Sequence, residues 1–191
     1  MNKFIWEKRN ALTGEFCKNV IYKFERDLRK NSGRTLGGLN NKVKISTDIA
    51  ISHISGWEEE DKIFYESLND RLKTYKEYLL ENLHTNITDL HLNDTGYQIQ
   101  RTIGGEGFYN WHHDFCRDDC NGVRRITFIW YLNDVEGGGE TEFIDGTKIK
   151  PEEGKLIFFP ATWDFIHRGI MPPKGVVKYL CTGWLYTQSY Y

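Results

Sequence analysis

Apolar positions along the chain change their period near residue 95. Before that point they step by three and four, the spacing of one helical face. Thr13 is placed to cap a helix whose stripe runs Phe16, Val20, Ile21, Phe24 and Leu28, with Ser32-Gly33 as its stop and Gly37-Gly38 in the loop beyond. The stretch Val43–Ile51 starts with alternation and predicts a short strand or extended segment. From about Trp57 to Leu83 a second stripe, Phe64, Leu68, Leu72, Tyr75, Leu79 and Leu83, predicts a longer helix with one apolar face. That stripe is too short for a coiled coil and suits packing on a sheet.

After residue 95 the period becomes two. Strands are predicted over Tyr97–Thr102, Tyr109–Phe115, Arg124–Asn133, Glu140–Ile144, Thr147–Lys150, Lys155–Phe159, Phe165–Arg168 and Val176–Leu185. Gly104-Gly105, Gly137-Gly138-Gly139, Asp145-Gly146 and Pro172-Pro173 punctuate them. Short strands at this spacing predict an α+β fold: a double-sheet jelly roll or small barrel, with the N-terminal helices bracing one sheet. At 191 residues the chain is expected to be a single domain, 1–95 a mainly helical support and 96–191 the jelly-roll core.

Composition adds exclusions more than it adds functions. With 39% hydrophobic and 27% charged residues, and no run of about 18 apolar positions, a membrane span is not expected. The first ten residues lack the apolar region and cleavage site of a secretory signal, so the expected location is the cytoplasm. A net charge of −2 gives no field for nucleic acid. Charge is uneven, however: residues 1–50 hold 11 Lys/Arg against 5 Asp/Glu, and residues 51–95 hold 4 against 10, which reads as two solvated faces that partly neutralise each other. Cys116 and Cys120 form a C-x3-C pair, but no second pair exists to complete a zinc site, so Cys17, Cys116, Cys120 and Cys181 read as reduced thiols.

Candidate chemistry begins at Tyr109-Asn-Trp-His-His-Asp-Phe115. Residues two apart in a strand share a face, so His112 and Asp114 converge while His113 points away. An H-x-D pair occurs by chance in many polar strands. One further histidine from a neighbouring strand would complete a facial triad that leaves open positions for a chelating cosubstrate and dioxygen. His167, 53 residues after Asp114 and late in the run of short strands, is the candidate; His53, His84 and His91 fall in the helical half. A keto acid chelated by iron buries its far carboxylate, and a buried charge requires a counter-charge. Lys178, 11 residues after His167 and flanked by Val176, Val177 and Leu180, has that character. By the same parity Thr127, Ile129 and Tyr131 share one face of their strand, two hydroxyls around an apolar centre, which suits a small dicarboxylate.

On these motifs the sequence resembles the prolyl-hydroxylase branch of the 2-oxoglutarate/iron(II) oxygenases. The likeness spans about residues 97–187 and rests on Tyr109-x-x-His112-x-Asp114, Arg125–Asn133, Gly138-Gly-Glu-Thr-Glu-Phe143, Pro151–Pro160 and the segment His167–Lys178–Trp184. The resemblance implies a double-stranded β-helix core, an iron site of His112, Asp114 and His167, and Lys178 paired with the 2-oxoglutarate C5 carboxylate. It implies Tyr131, Ile129, Thr141 and Trp184 as lining of the cosubstrate pocket. One departure stands out: where many relatives carry a tyrosine that touches 2-oxoglutarate, this chain has Thr102.

The resemblance further implies a dioxygenase that uses iron(II), 2-oxoglutarate and dioxygen, releases succinate and hydroxylates a peptidyl proline or another residue. Substrate is expected over the barrel mouth near Arg101, Trp111, Arg117 and the loop Asp118–Gly122. Two rivals remain at this point. The same chemistry on a free amino acid or other small molecule is open; a nucleobase is disfavoured because Trp184 stands where that branch usually shows a second basic residue. A jelly-roll binding module without turnover would show a broken triad, and all three candidate ligands are present.

Overall fold

The computed structural model describes residues 2–35, 37–118 and 121–187. The elements run β1 (Trp6–Lys8), α1 (Gly14–Arg26), β2 (Asn31–Ser32), β3 (Lys44–Ile45), β4 (Thr47–Ala50), α2 (Glu58–Leu83), β5 (Leu92–Asp94), β6 (Gln98–Ile103), β7 (Phe108–His112), β8 (Arg117–Asp118), β9 (Gly122–Tyr131), β10 (Thr141–Phe143), β11 (Lys148–Ile149), β12 (Leu156–Pro160), β13 (His167–Gly169) and β14 (Val177–Thr187). Each of the eight strands expected after residue 95 is present. The short strands β1, β2, β5 and β8 lacked a long enough pattern to be seen. Among the described residues no helix is long and apolar enough to cross a membrane.

The strands form two antiparallel sheets. The larger runs β1-β12-β9-β14-β6-β4-β2, with β5 added on β14 and β8 on β9; the smaller runs β11-β10-β13-β7-β3. Strand β9 explains the arrangement. Ile126, Phe128 and Trp130 point to the helices and join Phe24, Phe64, Leu68, Tyr75 and Phe158 in one core. Ile129 and Tyr131 point the other way and pack with Ile5, Phe143, Ile157, Phe159 and Leu180 between the sheets. A strand covered on both faces reads as a continuous apolar run, as Ile126–Leu132 does.

The helices brace the larger sheet as expected, with one difference at the end of α1. Thr13 caps it, its hydroxyl accepting from Phe16 N at 3.2 Å. The helix stops at Arg26 rather than at Ser32-Gly33, because Asp27 is extended and its carboxylate accepts from the Trp57 indole N–H (2.8 Å) and from Arg29. Leu28 therefore leaves the stripe and stands 96% exposed. In α2 the expected stripe is buried through Phe64, Leu68, Leu72, Tyr75 and Leu79, and four carboxylates, Glu58 to Asp61, occupy its first turn, where the helix dipole favours negative charge.

The segment Val43–Ile51 is not one strand but a corner. It breaks at Ser46, so β3 pairs with β7 in the smaller sheet while β4 pairs with β6 in the larger. Lys44 and Asp48, four residues apart and on different sheets, meet across the corner at 2.7 Å, and Ser46 donates to the other Asp48 oxygen at 2.7 Å. Both charged groups are buried. Each is thereby satisfied, which a buried ion pair requires.

The aromatic cluster under α2 carries the stability of the helix–sheet contact. Phe64 is fully buried against Trp130 and Tyr97 (centroids 5.2 and 5.6 Å). Replacing Phe64 with alanine is expected to cost about 3–5 kcal/mol. Urea denaturation followed by tryptophan fluorescence measures this as a lower midpoint, and a loss below about 1 kcal/mol would show that the cluster does not carry the contact.

Candidate metal centre and cosubstrate pocket

Antiparallel pairing of β7 with β13 sets His112 directly opposite His167. The ring centroids lie 4.2 Å apart. Asp114 completes the group: its Oδ1 is 3.8 Å from His112 Nε2 and its Oδ2 3.6 Å from His167 Nε2. These separations fall within twice a metal–ligand bond of about 2.1 Å, so one ion between the three atoms can reach all of them. Among the described residues this is the cluster of three or more potential ligand side chains close enough to hold a metal. Asp114 reaches the centre by a different route from the one expected. Strand β7 ends at His112, so Asp114 lies on the irregular segment after it, not on the strand face. His113 is absent from the cluster, as parity requires, although it borders a second cavity.

The surroundings prepare the three side chains for a cation. His112 Nδ1 lies 2.7 Å from Asn110 O, and His167 Nδ1 lies 2.9 Å from Phe165 O. A carbonyl only accepts, so each Nδ1 carries a proton, and in the neutral ring this leaves Nε2 as the nitrogen with the lone pair for a metal. Tyr109 stacks on the His112 ring at 3.5 Å, and Phe159 and Phe143 pack on His167 at 4.9 and 5.6 Å, which fixes both rings. Burial, then the neighbouring His167, lowers the His112 pKa to about 4, so the imidazole is neutral and able to ligate at pH 7. Burial alone would raise the Asp114 pKa, but the two imidazoles and the Thr127 hydroxyl outweigh it and hold the carboxyl below its ordinary value. Thr127 Oγ1 donates to Asp114 Oδ2 at 2.7 Å. The Trp184 indole N–H favours the charged carboxylate too, although it is buried and makes no hydrogen bond within the accepted geometry.

A slot of about 60 Å³ opens from this centre, lined by the triad, Thr127, Ile129, Thr141, Lys178, Trp184, Thr102, Leu180 and neighbouring residues. Lys178 is 3% exposed and has no carboxylate within ion-pair distance among the described residues; its Nζ donates to Gly139 O at 2.8 Å. Gly139, at φ +77°, adopts the left-handed conformation that turns this carbonyl towards the ammonium. Burial pulls the Lys178 pKa down to about 8, with Glu140 opposing. A buried ammonium with one carbonyl for company lacks its counter-anion. The donor set thus fits iron(II), two imidazoles and a carboxylate with other positions open, and the slot fits a chelating dicarboxylate whose far end meets Lys178.

Several sequence-based expectations need correction. Tyr131 shares a face with Thr127 and Ile129 but does not border the slot; its hydroxyl donates to Thr141 Oγ1 at 2.7 Å, so it backs the residue that does. The Thr127 hydroxyl is taken by Asp114 rather than left for a cosubstrate. Thr102 does line the slot, opposite Lys178 in the β6–β14 pairing. Arg101 alternates away from it and is bound to Glu25 of α1 at 2.9 Å, remote from any mouth. Trp111 lies beneath the Arg168 guanidinium at 4.6 Å on the outer face of the smaller sheet, and neither it nor Arg117 borders either cavity. Of the loop Asp118–Gly122, and of the Cys116–Cys120 pair, residues 119 and 120 lie outside the described residues. The signal that was missed was in Lys44, Gln98, Gln100 and Tyr109, which wall the site from the helical-half corner and from β6 and β7. Opposite charges four apart in an otherwise alternating segment, Lys44 and Asp48, were the hint.

A jelly-roll of this form, with a His-x-Asp and a distal histidine converging beside a buried lysine, defines a class of iron-dependent oxygenase. Residues 97–186, a little under half of the chain, match the family model described as 2OG-Fe(II) oxygenase superfamily, a description that implies iron(II), 2-oxoglutarate and dioxygen. Three solved prolyl hydroxylases share the fold. The viral collagen prolyl hydroxylase of Paramecium Bursaria Chlorella virus-1, in complex with 2-oxoglutarate, is 22% identical with a TM-score of 0.70, covering 98% of each chain. A prolyl hydroxylase of Trichoplax adhaerens, in complex with a hypoxia inducible factor oxygen degradation domain peptide fragment, is 14% identical with a TM-score of 0.74, covering 97% of this chain and 84% of that one. A Pseudomonas putida prolyl-4-hydroxylase is 18% identical with a TM-score of 0.65, covering 97% and 94%.

The state of Lys178 generates a pH prediction. Its ammonium is present below about pH 8 and lost as the pH rises through that value. Calorimetric 2-oxoglutarate affinity of the manganese-loaded protein is therefore expected to be flat near pH 7 and to weaken about tenfold per unit well above pH 8. Lys178→Met should weaken binding at least about a hundredfold and remove that dependence. An affinity that Lys178→Met leaves intact would show that the cosubstrate carboxylate sits elsewhere.

Proposed function

We propose that the protein is an iron(II)- and 2-oxoglutarate-dependent dioxygenase that hydroxylates a prolyl residue in a peptide, with His112, Asp114 and His167 as the iron ligands. The observation that carries this reading is that the three ligands and the uncompensated Lys178 line one slot. The helical front and β-rich back share a core, which supports treating the chain as one domain.

When bound, iron and 2-oxoglutarate supply the redox chemistry: dioxygen is consumed, 2-oxoglutarate loses carbon dioxide to give succinate, and one oxygen atom ends as the substrate hydroxyl. The chain supplies placement. His112 and His167 hold the metal through Nε2 and keep their Nδ1 protons on backbone carbonyls. Asp114 completes the set as an ionised carboxylate aimed by Thr127. Lys178 meets the C5 carboxylate, and Ile129, Leu180 and Trp184 exclude water around the methylene body. Thr141 is steadied from behind by Tyr131. Substrate approaches through a second, wider cavity of about 320 Å³ that shares His112, Asp114, Tyr109 and Trp184 with the slot. The Trichoplax adhaerens neighbour was solved with a peptide fragment, which supports a peptide as the substrate here. Cys17, Cys116 and Cys181 are free thiols, two of them buried, which suits a reducing compartment such as the cytoplasm.

The test is a mass-spectrometric screen of proline-containing peptides and free amino acids, with iron(II) and 2-oxoglutarate present, scored for the mass of one added oxygen. A hydroxylated prolyl peptide with stoichiometric succinate is the expected product, absent in His112→Ala and Asp114→Ala, whose rates should fall by at least about a thousandfold. Hydroxylation of a free amino acid alone would replace the peptide reading. Succinate formation that survives both substitutions would remove the proposed centre.

A further inference from the structure

The wider cavity carries more positive charge than the chain itself neutralises. Its lining includes three cations, Arg34, Lys44 and Arg124, against one carboxylate, Asp114, which the metal centre claims. Two of the cations are already engaged. Lys44 is paired with Asp48 at 2.7 Å. Arg124 donates to the Tyr186 hydroxyl at 2.7 Å and stacks on the Trp184 ring at 3.7 Å. Arg34 makes no hydrogen bond or ion pair among the described residues.

Arg34 is nevertheless held in place through its backbone. On one side, Gly33 N donates to Ser46 O at 2.9 Å, and the chains approach so closely that a Cβ at Gly33 would lie 2.1 Å from Ser46 Oγ. On the other, Thr35 and Gly38 exchange two backbone hydrogen bonds of 2.9 Å each. Arg34 is exposed at the rim of this cavity, and an unpaired guanidinium on a fixed backbone there can recognise a carboxylate through two parallel hydrogen bonds. The same cavity has an amide pair in its wall: Gln100 Nε2 donates to Gln98 Oε1 at 2.7 Å. That leaves the Gln100 carbonyl and the Gln98 amino group to meet the N–H and C=O of an extended peptide.

We propose that Arg34 is a specificity residue: it binds the side-chain carboxylate of an aspartate or glutamate flanking the hydroxylated position, so that the enzyme selects acidic peptides. The proposal rests on the peptide-hydroxylase reading above, and it adds the charge of the substrate to it. A cavity whose surplus charge is positive attracts an acidic segment and repels a basic one, an effect that salt reduces.

The experiment uses peptides blocked at both ends, identical except for glutamate, glutamine or lysine at the positions flanking proline. Hydroxylation is read as kcat/KM, and binding to the manganese-loaded protein with 2-oxoglutarate is read as Kd. The expected result is a preference of about tenfold for glutamate over glutamine, as a charge-assisted hydrogen bond gives. Arg34→Gln should bring the two peptides together, Arg34→Lys should restore part of the difference, and Arg34→Glu should shift the preference to lysine. Glutamate peptides that bind with this Arg34 dependence without becoming hydroxylated would support the subsite and reject the prolyl-hydroxylase reading. Equal Kd and kcat/KM for glutamate and glutamine in the unmodified protein, or a preference that Arg34→Gln leaves in place, would overturn the proposal.

Discussion

The contact on which the site depends is the antiparallel pairing of β7 with β13, which puts His112 across from His167. The two rings lie 4.2 Å apart, and burial, then the neighbouring His167, holds His112 neutral. That neutrality is what a cation needs from its nitrogen ligands, since only an unprotonated Nε2 has a lone pair to give. The two backbone carbonyls at Asn110 and Phe165 decide which nitrogen that is. Asp114 then enters from the irregular segment after β7 with the one negative charge, and Thr127, reaching from β9 in the other sheet, aims it. The centre is thus assembled from both sheets, and the inter-sheet core of Ile129, Phe143, Phe159 and Leu180 keeps them at the distance that lets it form.

Two buried lysines show how the same residue serves different ends. Lys44 has Asp48 beside it and closes the corner at which the chain passes from the smaller sheet to the larger. Lys178 has a single carbonyl for a partner, and burial pulls its pKa down to about 8. The first is structural because its charge is matched within the chain. The second is unmatched, and a fold does not keep an uncompensated buried charge without cost unless a ligand supplies the other half. The unpaired lysine therefore points to a dicarboxylate as directly as the triad points to a metal, and the two marks lie in one slot.

Much of this was legible in the residues. Both helices precede residue 95 and the longer strands follow it, while the short strands β1 to β5 lie in the first half. The metal ligands were legible because His112 and His167 sit at strand positions that restrict where they can meet, and Asp114 follows His112 by two residues. What failed did so for physical reasons. Asp114 leaves the strand, so parity found the right residue by the wrong geometry. The break at Ser46 was hidden because β3 and β4 keep the same alternation while joining different sheets. Arg101 and Trp111, expected near the mouth, border neither cavity, because neighbours on a strand face opposite ways. Arg34, Gln98 and Gln100 belong to no motif, and only the folded chain brings them to one cavity.

The most direct test of the central claim is an anaerobic titration of the purified protein with iron(II) and 2-oxoglutarate, followed by visible absorption. A chelate held by His112, Asp114 and His167 predicts a weak charge-transfer band that needs both components and saturates at one iron per chain. The band should be lost in His167→Ala. Its absence from the unmodified protein, or its persistence without His167, would contradict the account.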